Sequence, residues 1–246
     1  MNILAFDTTM QSCSAAVLRE GTESGNGNGV LFSAREELER GHAERLLPMI
    51  PEVMTKAELE FKALDRIAVT TGPGTFTGVR IGVATARGLA LASGIDLVGE
   101  NALQVIAWDC FQQGDLGPDR LVAVAINARR DQIYFQLFDT NGPFAADTSS
   151  DSGPQVIFPE QVESLLPQDK TVFVVGSGGE ILKNAVGEKI RQNLHLSDFE
   201  QGNPQPDAGI LARHAATLPT SPGSISPLYL RPPDAKIQSG YAIERQ

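Results

Sequence analysis

Gly72-Pro73-Gly74-Thr75-Phe76-Thr77-Gly78-Val79-Arg80-Ile81-Gly82 follows the apolar run Ile67-Ala68-Val69 and opens a small-residue segment that continues to near Leu91. Gly and Pro punctuate the end of a strand, and the loop after it delivers backbone N–H groups to the start of a helix. An anion placed there would meet the positive end of the helix dipole. The loop nevertheless lacks the Gly-Lys-Ser/Thr ending of a phosphate-cradling Walker loop, and its glycines do not follow the dinucleotide spacing. It has the shape of a phosphate loop without the cation.

Upstream, Asn2 to Phe6, Ser14 to Leu18 and Val30 to Arg35 read as three strands joined by short links, which implies antiparallel pairing. The stretch Gly21 to Gly29 reads as an exposed, flexible hairpin loop. A helix from Ala43, a strand from Arg66 to Thr71, the helix after the Gly-rich loop and a strand at Asp96 to Val98 then alternate, which favours parallel pairing. The second half repeats the order loosely. Ala102 to Phe111 reads as a helix, Leu121 to Ala125 and Gln132 to Phe138 as strands, Asn141 to Gly153 as a polar connection and Val156 to Phe158 as a short strand. Pro159 to Leu166 (helix), Thr171 to Val175 (strand) and helices over Glu180 to Gln192 and Asp207 to Leu218 complete it. The chain thus divides into similar α/β lobes over 1–100 and 101–221, followed by an extended tail over 222–246.

The chain has 246 residues, 41% of them hydrophobic and 20% charged, enough for a substantial core. No apolar stretch approaches the roughly 18 to 20 residues that span a bilayer. Met1 to Asp7 has neither the basic start nor the cleavage pattern of a signal peptide, and Cys13 and Cys110 lack redox or metal spacing. These features fit a cytoplasmic protein with two reduced, buried thiols. The formal net charge is −10, and the nearest thing to a basic cluster, Arg129-Arg130, is followed by Asp131. Unaided binding to nucleic acid needs a basic surface, so any RNA-related role should pass through a partner.

Gly72 to Gly82, together with Ala84-Thr85-Ala86-Arg87-Gly88-Leu89-Ala90, resembles the hallmark of the TsaB (YeaZ) family. Phe6-Asp7-Thr8-Thr9, His42-Ala43-Glu44-Arg45-Leu46-Leu47-Pro48, Ala128-Arg129-Arg130-Asp131-Gln132-Ile133-Tyr134 and Pro227-Leu228-Tyr229-Leu230-Arg231-Pro232 agree in order and spacing. The resemblance implies the two-lobed actin-like ATPase fold of the sugar kinase/actin superfamily, with duplicated βββαβα lobes. It implies a non-catalytic activating or scaffold subunit of the complex that adds a threonylcarbamoyl group to the adenosine beside the anticodon, in tRNAs reading codons that begin with A. Such a subunit binds and activates the catalytic subunit TsaD together with the ATPase TsaE, and reaches tRNA only through the complex. It carries no cofactor or metal of its own; ATP or ADP at or near the partner interface and a homodimer in isolation stay open. The family usually carries Asp before the Ala, and Gly-Glu after the arginines, of the Ala128 motif. This chain has Asn127, Asp131 and Gln132 instead.

In an actin-like fold Asp7-Thr8-Thr9 would turn around a nucleotide phosphate, and Gly176-Ser177-Gly178 would face the adenosine. Asp7, Thr8, Thr9, Gly176 and Gly178 are therefore candidates for vestigial nucleotide contacts. Thr9 stands where active ATPases place a Gly, and its Cβ restricts the approach of a phosphate. The alternatives are an Asp bonded to its own turn and a plain strand-to-helix turn. His42, His195 and His214 are far apart and form no helical pair, so no metal constellation is legible. Gly176-Ser177-Gly178 is not Gly-x-Ser-x-Gly, and no nearby His completes a triad.

The first helix carries an apolar stripe of Leu46, Leu47, Ile50, Val53, Met54 and Ala57, with Pro48 and Pro51 requiring a kink or restart. In the second, Gly78, Gly82, Ala86 and Ala90 recur every four residues, which suits close packing. Either the chain's own sheet or a partner could be the packing surface. By the resemblance these two helices meet an equivalent pair in TsaD, so the candidate partner-binding residues are Leu46, Leu47, Ile50, Val53, Met54, Val79, Arg80, Val83, Ala86 and Arg87. No catalytic residue is assigned. The competing readings are a hydrolase or kinase of the same fold, acting alone through Asp7 and the Gly-rich turns, and a protease.

Overall fold

The computed structural model describes residues 1–20, 29–113, 120–139, 153–196, 204–219 and 225–231. The expected loop over Gly21 to Gly29, save its last residue, nearly all of the Asn141 to Gly153 connection and most of the tail fall outside them.

The first sheet is built from β1 (Ile3–Asp7), β2 (Ser12–Arg19), β3 (Val30–Glu37), β4 (Arg66–Thr70) and β5 (Asp96–Glu100), in the order β3-β2-β1-β4-β5. Its hairpins β1-β2 and β2-β3 are antiparallel, and β1-β4 and β4-β5 are parallel. Helices α1 (His42–Lys56) and α2 (Phe76–Ser93) provide the crossovers. The second sheet contains β6 (Leu121–Arg129), β7 (Gln132–Asp139), β8 (Gln155–Ile157), β9 (Val172–Val175) and β10 (Leu194–Leu196), in the order β10-β9-β6-β7-β8. Its pairings repeat those of the first, antiparallel for β6-β7 and β7-β8, parallel for β6-β9 and β9-β10. The same strand order and directions occur twice, which is the duplicated actin-like arrangement.

Several local readings change. The stretch after Pro159 is a 3-10 turn, Pro159–Ser164, and the helix after Gly178 is two short pieces, α4 (Gly179–Ala185) and α5 (Glu188–Arg191), broken at Val186-Gly187. α1 runs unbroken through Pro48 and Pro51, because both rings lie on its exposed side, where the carbonyls left without donors can meet water. The last helix, α6 (Ala208–Ala215), falls in the second lobe by sequence position but packs on the first sheet, where Ala208, Leu211, Ala212 and Ala215 join Ile3, Ala5, Ala16 and Ala68. Arg66 of β4, buried, holds it there by donating from Nη1 to the carbonyls of Ala215 (2.6 Å) and Leu218 (2.9 Å) at the helix end. Helix α3 (Ala102–Gln113) lies between the lobes, with Leu103 and Ile106 against Val122 and Val124 and with Val105 and Trp108 toward α6.

Alternation along β1 divides the first core. Leu4 and Phe6 face Leu46, Met49, Val53 and Ala86, whereas Ile3 and Ala5 face α6. The small residues of α2 serve this packing. A Cβ at Gly78 would collide with the Thr8 carbonyl, and one at Gly82 would lie 2.8 Å from Thr8 Oγ1 and 3.4 Å from Val69. The four-residue stripe is therefore the contact with the chain's own sheet. Gly88, on the opposite side, would meet nothing within 4 Å. In urea unfolding, Gly78→Ala should destabilise by several kcal/mol through backbone displacement, while Gly88→Ala should stabilise by about 0.5 to 1 kcal/mol. Equal effects would contradict this packing.

Candidate functional site

Asp7 is fully buried and turned onto its own loop. Its Oδ1 accepts from Thr9 Oγ1 (2.7 Å), Thr9 N (3.2 Å) and Thr70 Oγ1. Burial pushes its carboxyl up to about 6, against the pull of the Thr70 and Thr9 hydrogen bonds. The Gly-rich loop closes over this turn. Thr75 N donates to the Thr9 carbonyl (2.7 Å), Thr8 Oγ1 donates to the Gly78 carbonyl (2.7 Å), and Gly74 has no room for a Cβ against Thr9. Gly78 N, one of the donors a phosphate would need, is taken by Thr75 Oγ1 (3.1 Å) as the helix N-cap. Gly176, at φ 106°, and Gly178 are seated on β6, with Gly178 N donating to the Ala125 carbonyl (2.8 Å). The alternatives that kept Asp7 and these glycines structural describe the geometry.

A cavity of about 860 Å³ lies beside the sealed turn, between Gly74, Thr75 and Phe76 of the first lobe and Asn127, Ala128 and Arg129 of the second. Asp7, Thr8, Thr9, Gly176 and Gly178 do not line it, although Ser177 does. The extended segment 225–231 crosses it as a strap. Leu228 N donates to the Thr71 carbonyl (2.7 Å), Tyr229 stacks on Phe76 and accepts from Arg80 Nε (2.7 Å), and Arg231 Nη2 donates to Gln132 Oε1 (2.7 Å) and the Arg129 carbonyl (3.3 Å). In the sequence Pro227 to Pro232 stands out as a family-like ending within the extended tail. Its Leu-Tyr-Leu-Arg alternation of apolar and donor groups was the available signal for a bridging role.

The partner-binding set divides sharply. Leu46, Ile50, Val53 and Met54 of α1, and Val79, Val83 and Ala86 of α2, are buried in the first lobe. They form the inward stripe, which the 3.6-residue period shows without telling which surface it faces. Leu47, Arg80 and Arg87 are exposed. Pro48 and Pro51 of α1 and Ala84, Gly88 and Leu91 of α2 are exposed beside them. Leu47 is 63% exposed and Leu91 89%, and the two helices touch on the same side of the sheet.

Cys13 and Cys110 are free and buried, and burial pushes their thiols up to about 12 and 11, so both stay protonated at neutral pH. His42 Nε2 bonds the Met10 carbonyl (2.9 Å), His195 stacks on Phe173, and His214 stacks on Trp108 with ring centroids 4.1 Å apart. Among the described residues no three His, Cys, Asp or Glu gather in a metal-holding group, and no helix is long and apolar enough to cross a membrane.

Asp7 and His214 give stability opposite pH dependences. The Asp7 pKa is raised from 3.8 to about 6, so its contribution is fully present below about pH 4 and lost as pH rises through about 6. Burial pushes His214 down from 6.5 to about 4, so its contribution is present above about pH 6.5 and lost as pH falls through about 4. The two partly cancel in the wild type. Asp7→Asn should unmask the histidine, making stability fall more steeply between pH 6.5 and 4 by on the order of 3 kcal/mol in urea titrations. Parallel wild-type and variant profiles would contradict the sealed turn.

Residues 33–190, more than half of the chain, match the family model described as TsaD, tRNA N6-adenosine threonylcarbamoyltransferase. The tRNA threonylcarbamoyladenosine biosynthesis protein TsaB of Escherichia coli (strain K12) is 33% identical over 182 residues, 72% of this chain and 72% of that protein. The protein of the same description from Bacillus subtilis (strain 168) is 27% identical over 206 residues, 84% of each. A solved structure from Pseudomonas aeruginosa, an uncharacterised protein with similarity to the peptidase YeaZ, matches with a TM-score of 0.73 and 27% identity over 94% of this chain and 99% of that one. A second, YeaZ from Pseudomonas aeruginosa, has a TM-score of 0.68 and 29% identity over 88% and 91%. Sequence, strand order and these matches agree, and the chain belongs to the TsaB family.

Proposed function

We propose that this chain is a non-catalytic, activating subunit of the cytoplasmic complex that forms threonylcarbamoyladenosine on tRNA. It docks on the catalytic subunit TsaD, with the ATPase TsaE in the same cycle, and meets tRNA only through the complex. The observation that carries this reading is the outward surface of α1 and α2, where Leu47, Pro48, Pro51, Ala84, Gly88 and Leu91 stay uncovered beside Arg87. Small residues at Ala84 and Gly88 leave room for another helix to approach, and Leu47 and Leu91 provide apolar area on either side. A homodimer in isolation would use the same surface. ATP or ADP in the cycle binds at or near the partner interface rather than in the Asp7 turn.

The reading as an independent hydrolase or kinase has less behind it. The Thr9 carbonyl accepts from Thr75 N, the Gly78 carbonyl from Thr8 Oγ1, Gly78 N donates to Thr75 Oγ1, and the buried Asp7 is spent on its own loop.

Purified protein mixed with cognate TsaD and TsaE should be required for tRNA modification, and modification without it would contradict the reading. Leu91→Glu and Ala84→Glu should abolish co-elution with TsaD while leaving the unfolding midpoint within about 0.5 kcal/mol of wild type. Val83→Glu should instead unfold the first lobe, because an unpaired charge buried there costs several kcal/mol. Co-elution of both outward variants at wild-type levels would reject this docking face.

A further inference from the structure

Helix α2 departs from the charge balance of the chain. The sequence carries 30 Asp and Glu against 20 Lys and Arg, yet α2 has Arg80 and Arg87 and no acidic residue. Seven residues apart and both exposed, the two arginines stand about 10 Å from each other along the helix axis. Neither is ion-paired among the described residues. On neighbouring α1 the basic residues are matched, Arg45 by Glu36 and Glu52, and Lys56 by Glu52. A helix with positive charge alone, on an acidic molecule, suits a partner that brings carboxylates.

Arg80 is also held in place by the strap. Its guanidinium lies over Phe76, 3.6 Å from the ring centroid, and its Nε donates to the Tyr229 hydroxyl at 2.7 Å. Its Nη groups have no partner among the described residues, and these are donors that can grip a carboxylate. From Tyr229 the strap continues onto the second lobe, where Arg231 Nη2 donates to Gln132 Oε1 and to the Arg129 carbonyl. The turn it reaches is strained. Arg129, Arg130 and Asp131 have φ of 63°, 53° and 59°, a left-handed run that L side chains disfavour and that persists where neighbours impose it. Asn127 Oδ1, accepting from Arg129 N at 2.8 Å, and Arg231 are the side chains that hold it.

We propose that the strap belongs to the docking surface, and that this surface takes an acidic helix of the partner. Phe76 and Tyr229 present Arg80 to one carboxylate, and Arg87 takes a second about two turns along. The small Ala84 between them leaves room for the partner backbone. This rests on the reading of α1 and α2 as a docking face and adds the chemistry of what docks there. Phe76 is 51% exposed and Tyr229 44%, so a partner covering Arg80 also covers the strap in its seat. Contacts made only with a seated strap favour seating, and the coupling is reciprocal. Docking steadies the 129–131 turn, and loss of the strap's grip on that turn weakens docking.

The test has two arms. In the isolated chain, Tyr229→Ala should speed amide exchange across residues 129–133 at least threefold, although Tyr229 bonds and stacks on the first lobe. Unchanged exchange there would overturn the coupling. With cognate TsaD, wild-type binding should weaken as salt rises, and Arg80→Gln with Arg87→Gln should weaken it at least tenfold and flatten the salt dependence. Arg231→Ala, whose lost hydrogen bonds lie on the second lobe, should weaken binding at least threefold with an unchanged melting temperature. Combined with Tyr229→Ala it should cost no more than Tyr229→Ala alone. Wild-type affinity in Arg231→Ala, or indifference to salt and to the paired glutamines, would overturn the proposal and leave the docking face standing. No binding of TsaD by the wild type would reject the docking face itself, and the proposal with it.

Discussion

Two stretches of backbone approach each other more closely than side chains would allow, and the first lobe is organised around that contact. The loop from Gly72 to Gly78 lies directly on the Asp7–Thr9 turn. Gly74 and Gly78 leave no room for a Cβ against Thr9 and Thr8, and Thr75 and Thr8 bond across the seam. The neighbouring carbonyls of Thr71 and Gly72 then accept from Leu228 N and Ala102 N, so the strap and the first turn of α3 are anchored to the same few residues. Loss of the contact would release four segments at once. A phosphate loop must keep such amides free; here they hold the fold together.

The seam also determines which way α2 faces. With Gly78 and Gly82 held against Thr8, Arg80, Ala84, Arg87, Gly88 and Leu91 face outward. The small inward residues thus allow the close approach inside, and the outward residues are left uncovered beside Leu47 of α1. The same geometry that fills the first turn with the chain's own hydrogen bonds leaves a helical surface uncovered.

Much of this was legible in the residues. Strand directions followed from link length, since hairpins force antiparallel neighbours and intervening helices force parallel ones. The duplication followed from the repeated order. Asp7 could be read as turned onto its own loop because Thr9 stands where close approach calls for Gly. The sense of the two helices was not legible. Periodicity finds an apolar stripe in Leu46, Ile50, Val53, Val79, Val83 and Ala86, and a stripe facing a core is indistinguishable in one dimension from a stripe facing a partner. The position of α6 was hidden for another reason. Arg66, which caps it, is 142 residues from Ala208 where the helix begins, and no local pattern announces such a contact.

Hydrogen–deuterium exchange of the isolated chain, repeated with cognate TsaD and with magnesium ATP, tests the central claim most directly. The amides of Thr75 and Gly78 should exchange slowly in the isolated chain, TsaD should protect the α1 and α2 segments around Leu47 and Leu91, and magnesium ATP should leave the Asp7–Thr9 turn unchanged. Rapid exchange at Thr75 and Gly78 with protection of that turn by magnesium ATP would show an open phosphate site and contradict the account.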